Sequence, residues 1–163
     1  MRRGDRALTQ AADKNLCLSR FLPYRLSITS NAISQRIAVE YRARFDLKVP
    51  EWRVMAVLGD VGPLTQRQLV GATFMDKVAV NRACKVLVDH ELVMRHPNDM
   101  DGRSHLLELT EEGRNVHAQV MPLALKMEAE ILGCLTPRER SDFSKTLDKL
   151  FAQVRDIDPD GDD

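Results

Sequence analysis

Cationic and amide side chains recur at helical spacing between Asp76 and Asp89. Apolar residues at Val80, Ala83 and Leu87 predict one buried stripe of an α-helix. The opposite face would then present Lys77, Val78, Ala79, Asn81, Arg82 and Lys85. Arginine and lysine donate to guanine, asparagine pairs with adenine, and small apolar side chains meet the thymine methyl group. The pattern therefore predicts a helix that reads base edges in the major groove of DNA, with a merely solvated helix face as the alternative.

Individual roles follow from position along this helix. Lys77 and Arg82 are the first predicted base contacts, whereas Lys85, further along, is predicted to meet a phosphate. Gln66 and Arg67 stand at the start of the preceding predicted helix. There, side chains and helix N-terminal amides together can hold backbone phosphates.

The elements that must position these side chains occur in a fixed order. Thr65 and Gln68 have the spacing of a capping box, the segment 71–75 predicts a turn, and Asp76 is the predicted N-cap of the base-reading helix. Two strands follow, at about 92–96 and 104–109, around a turn-forming cluster at 97–102. Helix, turn, helix and hairpin in this order predict a winged helix-turn-helix unit over residues 50–113.

The tip of the predicted hairpin, or wing, carries Arg103, which could insert into the minor groove. Asp101 is predicted to hold the Arg103 guanidinium in place, with an ordinary polar turn as the alternative. His96 and His105 lie on the paired strands, where they could face each other and bind a metal. A position near DNA phosphate is an equal alternative for these histidines.

The flanking segments read as helices. Apolar residues recur at helical spacing from about Leu16 to Phe45, and Pro23 interrupts them, so a short helix or first turn is predicted to precede one long helix. Another helix is predicted to begin at Pro50. A helix from Thr110 to about Leu135 is predicted to kink at Pro122, and the last helix carries an apolar seam at Phe143, Leu147, Leu150 and Val154.

The sequence thus predicts a mainly α fold with a small β-hairpin wing. Residues 16–154 form the single predicted domain, in which 16–48 and 114–154 are dimerisation helices. Residues 1–15 are predicted to be a mobile arm, and 155–163 a disordered acidic tail.

The distribution of charge along the chain limits how it could bind DNA. The 163 residues carry 24 basic and 24 acidic side chains, but residues 1–53 have a net charge of +6 and residues 106–163 a net charge of −6. Because the central segment 54–105 carries six basic and six acidic residues, DNA affinity must come from a few placed cations, the basic N-terminal half and dimerisation. Neither an apolar membrane span nor a secretory signal is recognisable, so the expected location is the cytoplasm.

The chain resembles the MarR family of transcriptional regulators from about Leu16 to Val154. The match rests on five sequences: PEWRVM at 50–55, LTQ at 64–66, MDKV at 75–78, DGR at 101–103 and LTEEG at 109–113. The resemblance implies a homodimeric winged-helix repressor on double-stranded DNA. It implies that residues 77–82 read the major groove and Arg103 the minor groove. Asp99 and Met100 stand where further cations are common in this family.

The resemblance also implies a small phenolic or aromatic acid as effector. Polar groups amid apolar residues could grip such a ligand at Tyr24, Arg25, Ser27, Ser30, Asn31 and Trp52. As alternatives, the two aromatic residues could belong to the core and Arg25 could form a salt bridge. A redox-controlled repressor using Cys17 is the closest rival, although Cys17 lies about two helical turns before the family's sensing position, where Tyr24 stands.

An enzyme and a protein-binding module are the two other functional classes to consider. No nucleophile–base cluster, Gly-rich phosphate loop or metal-ligand spacing is present in the sequence, so neither enzymatic activity nor a cofactor is expected. Cys17, Cys84 and Cys134 are too far apart for a CxxC metal site. A winged helix that binds another protein is the remaining alternative, and the cationic face at 77–85 argues against it.

Overall fold

A computed structural model describes residues 17–157 of the chain. In this range the α-helices are α1 (Leu22–Phe45), α2 (Val49–Val61), α3 (Gln66–Thr73), α4 (Lys77–Asp89), α5 (Glu111–Ile131) and α6 (Pro137–Ile157), and the strands are β1 (Leu64–Thr65), β2 (Val93–Pro97) and β3 (His105–Leu109). This mainly helical architecture with a small antiparallel sheet confirms the predicted fold class. The predicted arm at 1–15 and residues 158–163 of the predicted tail lie outside the described residues.

Contacts within the described residues divide them into two compact units, 17–36 and 37–157, with the boundary inside α1. In the first unit a turn at Leu18–Arg20 precedes the helix. The long helix begins at Leu22 after this turn, in agreement with the prediction, because Pro23 is tolerated in the first turn of a helix, where its missing N–H is not needed. The single domain predicted over residues 16–154 stays a prediction.

Local capping explains where α2 and α3 begin. The backbone N–H of Lys48 donates to Glu51 Oε2 at 2.6 Å at the start of α2. The predicted capping box of α3 is confirmed, since Thr65 Oγ1 accepts from the Gln68 N–H and Gln68 Oε1 accepts from the Thr65 N–H. Helix α2 ends at Val61, where Gly62 adopts a positive φ of 94°.

The turn between α3 and α4 is shorter than predicted. Helix α3 continues through Gly71 to Thr73, so the predicted turn over 71–75 was wrong at its start. Phe74 makes the change of direction in the left-handed conformation, with φ of 51°. Glycine lowers helix stability but does not by itself end a helix, and packing of the buried Leu69 holds this one together.

Helix α4 begins as predicted. Asp76 Oδ1 accepts from the Ala79 N–H at 2.8 Å, which satisfies one of the free amides of the first turn. The predicted inward stripe is confirmed, because the exposed fractions of Val80, Ala83 and Leu87 are 1%, 3% and 0%. This helix packs on α2 and α3 and belongs to the core of the second unit.

The antiparallel sheet has the order β1-β3-β2. Leu107 and Leu109 of β3 are buried and Glu108 between them is half-buried, as the predicted alternation requires. Strand β1 was not predicted, because two residues carry no alternating pattern. Leu64 pairs with Leu107 across the sheet, which ties the start of the helix-turn-helix to the wing.

The last two helices differ from prediction at their ends. Helix α5 stops at Ile131 and continues as a 3₁₀ turn over Leu132–Cys134, whereas one helix to about Leu135 was predicted. Helix α6 runs to Ile157, so the first three residues of the predicted disordered tail are helical. Within residues 17–157, no helix combines the length and apolar composition that a membrane crossing requires.

Candidate nucleic-acid interface

The outward face of α4 is exposed as predicted. Lys77, Val78, Asn81, Arg82 and Lys85 are exposed, and Ala79 is half-buried. All six lie away from the buried stripe of the same helix because the stripe repeats at helical spacing. The structure therefore leaves the predicted base-reading side chains available to a ligand, and their contacts with DNA stay a prediction.

Gln66 links α3 to this face. Its Nε2 donates to Asn81 Oδ1 at 3.3 Å. Gln66 also hydrogen-bonds the Cys84 thiol, which lowers its pKa, but burial is the larger effect and raises the pKa of Cys84 overall. Cys84 is a buried core thiol, and Gln66 is half-buried against α4.

The wing tip is ordered by short hydrogen bonds. Asn98 Nδ2 donates to Ser104 Oγ at 2.8 Å, and the Ser104 N–H donates to the Asp101 carbonyl at 2.9 Å. Asp101 Oδ1 accepts from the backbone N–H of Arg103 at 3.1 Å. The prediction that Asp101 holds the Arg103 guanidinium is therefore corrected: Asp101 holds the backbone, and the exposed Arg103 side chain extends from a fixed turn.

A concave cleft of about 730 Å³ lies between the start of α3 and the wing. Its lining includes Gln66, Arg67, Asp101 and Arg103, four of the residues predicted from sequence to contact DNA. Arg95 also lines the cleft and was missed by sequence reasoning. Its position in strand β2 made it look like an ordinary solvent-facing strand residue, and only the folded hairpin brings it beside α3.

On the other side of the wing, the Glu108 carboxylate lies close to basic side chains of the same chain. Glu108 lies 3.4 Å from His96 Nε2 and 3.9 Å from an Arg114 nitrogen, and the same Arg114 nitrogen donates to the Leu109 carbonyl at 2.7 Å. Strand register pairs His96 with Leu106 and His105 with Pro97. The two histidines are therefore on successive pairs whose side chains point to opposite faces, and the metal pair considered from sequence is wrong.

The predicted effector residues fall in both units. Five exposed side chains lie in the part of α1 that belongs to the first unit: Tyr24, Arg25, Ser27, Ser30 and Asn31. Trp52 lies in the second unit and is half-buried. Effector binding by these six residues stays a prediction.

Trp52 belongs to an aromatic cluster that the sequence did not indicate. Its ring centroid lies 5.7 Å from that of Tyr41 and 5.5 Å from that of His117, with which it is stacked. A Cβ at Gly59 would lie 2.5 Å from the His117 imidazole, so glycine is needed there for this stack. Burial lowers the pKa of His117 below its ordinary value of 6.5, although the Asp60 carboxylate acts in the opposite direction.

Comparisons with known proteins agree with this geometry. A sequence model of the MarR family matches residues 45–104. The chain is 26% identical over 136 residues to the uncharacterized HTH-type transcriptional regulator YwoH of Bacillus subtilis. This alignment covers 83% of the chain and 97% of YwoH. It is 31% identical over 97 residues to the HTH-type transcriptional repressor NicR of Pseudomonas putida, in an alignment that covers 60% of this chain and 61% of NicR.

Solved structures show the same fold. A cysteine-to-serine mutant of MarR from Escherichia coli, complexed with operator DNA, has a TM-score of 0.73 at 25% identity and covers 84% of this chain and 99% of that one. BpsR of Bordetella bronchiseptica, described in terms of regulation of DNA binding by 6-hydroxynicotinic acid, has a TM-score of 0.65 at 23% identity and covers 77% and 98%.

Proposed function

The chain belongs to the MarR family of DNA-binding transcriptional regulators, and on that premise we propose that it is a homodimeric repressor released by a small aromatic acid. The observation that carries the DNA-binding part is the exposed face of α4, where Lys77, Asn81 and Arg82 stand clear of the core. The operator would be a pseudo-palindrome with half-site centres about 10 bp apart, because a two-fold dimer presents one such helix to each half-site.

Each part of the interface has a proposed role. Arg82 and Lys77 contact guanine, Asn81 contacts adenine, and the small residues Val78 and Ala79 meet thymine methyl groups. Lys85 and Arg67 hold phosphates, with Gln66 bracing Asn81. Arg103 extends from the wing tip into the minor groove, while Asp101 fixes the turn that carries it.

The proposed dimer rests on the apolar face of α6, which we assign to a second copy of this chain. Phe143, Leu147, Leu150 and Val154 are 46%, 39%, 47% and 60% exposed, although they follow the 4-3-4 spacing of a helix that packs on another helix. Large exposed apolar faces of this kind mark interaction sites. The balanced charge of residues 54–105 also favours two subunits, because each offers only a few cations to the DNA.

The proposal also includes repression of transcription and release from DNA by an effector. The relative NicR is named as a repressor, which supports the first. The structure of BpsR is described by its control through a hydroxynicotinic acid, so this fold accommodates such control. We assign aromatic-acid binding to Tyr24, Arg25, Ser27, Ser30, Asn31 and Trp52. A bound acid that favours a spacing of the two α4 helices unsuited to DNA would lower DNA affinity by the coupling free energy.

The test is fluorescence anisotropy of the full chain on labelled DNA from upstream of its own gene, at two salt concentrations. We expect sequence-selective binding that weakens with salt, and release by one member of a panel of aromatic acids. Analytical ultracentrifugation should show a dimer that Leu147→Glu dissociates. Absence of DNA binding under every condition would overturn the proposal and favour a winged-helix module that binds another protein.

One observation favours a second candidate, redox control at Cys17. Its thiol is exposed and lies 2.8 Å from the Ser19 hydroxyl, whose hydrogen bond lowers the pKa of Cys17 below its ordinary value of 9.0. A larger thiolate fraction makes a cysteine more reactive toward peroxides. In the same anisotropy assay, release by an organic peroxide in the wild type but not in Cys17→Ser would select this candidate over the aromatic acid.

A further inference from the structure

Arg95 is an exposed cation in the middle of β2, where it pairs with Leu107 of the central strand β3. Within residues 17–157 it forms no ion pair, in contrast to Arg114 on the opposite side of the wing, which pairs with Glu108. Its side chain lines the cleft together with Arg67 of α3 and Arg103 of the wing tip. Three arginines from three separate elements therefore meet around one concavity.

The charge around this cleft is positive. Asp101 is the one carboxylate in its lining, against Arg67, Arg95 and Arg103. One oxygen of that carboxylate already accepts from the Arg103 backbone N–H. The lining also includes the uncharged polar residues Thr65, Gln66, Gln68, Asn98 and Ser104, together with His105 and apolar side chains. Arginines and amides around an open concavity suit an anion with several acceptor oxygens, as a phosphodiester has.

A second observation locates Arg95 near α4. Strand β2, which carries Arg95, packs against α4. The positive charge of Arg95 also lowers the pKa of the Cys84 thiol on that helix, although burial raises that pKa overall. Arg95 therefore lies close to the junction of α3, α4 and the hairpin, well back from the wing tip. Its contacts with a ligand would lie between those of α4 and those of Arg103.

The path of a bound duplex passes over this junction. If α4 occupies a major groove and Arg103 the adjacent minor groove, then the sugar-phosphate strand that separates the two grooves must run between them. The cleft that Arg95 lines lies between the wing tip and the start of α3, and α3 packs on α4.

We propose that this cleft holds one backbone phosphate of the DNA strand between the two grooves, and that Arg95 is a DNA-binding residue that contacts it. The inference rests on the proposed DNA-binding function and adds a contact that fixes the register of α4 relative to the wing. A phosphate contact of this type strengthens binding to every sequence and adds no base preference of its own.

The experiment compares the salt dependence of DNA binding between the wild type, Arg95→Gln, Arg95→Lys and the control Arg138→Gln. Arg138 is 92% exposed on α6. Its substitution by glutamine removes the same charge at a position outside the cleft lining. The probes are a duplex enriched by the protein from a random library and a scrambled duplex. For Arg95→Gln, the slope of log affinity against log salt should become shallower by about 0.9 on both duplexes, the value for one released phosphate contact. Arg95→Lys should keep most of the slope, and Arg138→Gln all of it.

A second measurement identifies the phosphate. In a series of enriched duplexes, one phosphate at a time is replaced by an uncharged methylphosphonate. One position should weaken the wild type and leave Arg95→Gln unaffected, and it should lie between the major-groove half-site and the adjacent minor groove.

The outcomes separate the two levels of the proposal. If the wild type binds DNA but Arg95→Gln keeps its slope and affinity, the phosphate contact is wrong and the proposed function stands. If Arg95→Gln changes the preference at one base pair with an unchanged slope, Arg95 contacts a base and the inference is again wrong. If the wild type binds neither duplex, the proposed function fails together with the inference.

Discussion

The side-chain amides of Gln66 and Asn81 are joined by a 3.3 Å hydrogen bond from Nε2 to Oδ1. The bond connects the first residue of α3 with the outward face of α4, so the two helices of the helix-turn-helix share a polar contact beside the DNA-facing surface. It also sets the orientation of Asn81, because Oδ1 is directed toward Gln66 and Nδ2 is left to donate elsewhere. If Asn81 contacts a base, as proposed, Gln66 would influence that contact by orienting Asn81.

The first prediction concerns this pair. Asn81→Ala should weaken binding to the enriched duplex by about 1–3 kcal/mol and relax the preference at one base pair. Gln66→Ala should relax the same base pair by a smaller amount, since Asn81 remains but is no longer oriented. The measurement is anisotropy on duplexes with each base pair changed in turn, with Gln119→Ala on α5 as the control. Strictly additive effects in the double variant would contradict the coupling.

The second prediction concerns Arg82, an exposed residue of α4. Arg82→Ala should cost about 1–3 kcal/mol of binding free energy on the enriched duplex and relax base preference at its contact. On a scrambled duplex the loss should be smaller, because the base contact is absent there. Unchanged affinity for the enriched duplex would exclude Arg82 from base recognition.

The third prediction concerns the wing tip. Arg103→Ala should weaken binding similarly on the enriched and scrambled duplexes, because a cation in the minor groove responds mainly to groove potential. Arg138→Ala is the matched control, since Arg138 is an arginine on α6 that is 92% exposed and does not line the cleft. Asp101→Ala should reproduce part of the Arg103 loss by freeing the Arg103 backbone N–H from its acceptor. A loss limited to one base pair would argue for a base contact instead.

The fourth prediction tests the cap of α4. Asp76 Oδ1 accepts from the Ala79 N–H at 2.8 Å, so Asp76→Ala should lower the free energy of unfolding by about 0.5–2 kcal/mol. Asp76→Asn keeps an acceptor oxygen and should retain most of this stability. Urea denaturation followed by circular dichroism measures both variants. Equal stability of the alanine variant and the wild type would contradict the capping role.

The fifth prediction is a pH dependence at the stack of His117 on Trp52. Burial depresses the pKa of His117 below 6.5 in the folded state, so the unfolded state binds the proton at higher pH. The contribution to stability is therefore fully present above pH 6.5 and is lost as the pH falls through the lower folded-state pKa. Trp52 is the single tryptophan, and its fluorescence should titrate with that same lowered pKa.

Two variants check the assignment to His117. His117→Phe keeps an aromatic ring against Trp52 and should remove the acid step from both fluorescence and stability. His90→Gln alters an exposed histidine and should leave the step in place. Persistence of the step in His117→Phe would assign it to another group.

Local signals in the sequence were sufficient for the helix-turn-helix. Thr65 with Gln68 and Asp76 with Ala79 are contacts within one helical turn, so their spacing alone specifies them. The buried stripe of α4 and the exposure of the opposite face follow from one periodicity. The family resemblance carried over residues whose positions on that face the structure supports.

Errors occurred where a local signal was weak or ambiguous. Gly71 suggested a turn, but packing of Leu69 extends α3 past it, and Phe74 takes the left-handed position instead. The acidic composition of 155–163 suggested a tail from its first residue, but α6 has no breaker before Ile157 and continues that far. Strand β1 was too short for any pattern, and its pairing with β3 exists only in the folded sheet.

What the sequence determined by itself is the order of elements, their caps and the outward face of α4, because each depends on residues within a few positions of one another. What only the tertiary structure decided are the contacts between distant segments: Gln66 with Asn81, Trp52 with His117, and Arg95 beside Arg67 and Arg103. These contacts depend on how helices and strands pack in three dimensions, and the spacing of residues along the chain carries no record of that packing.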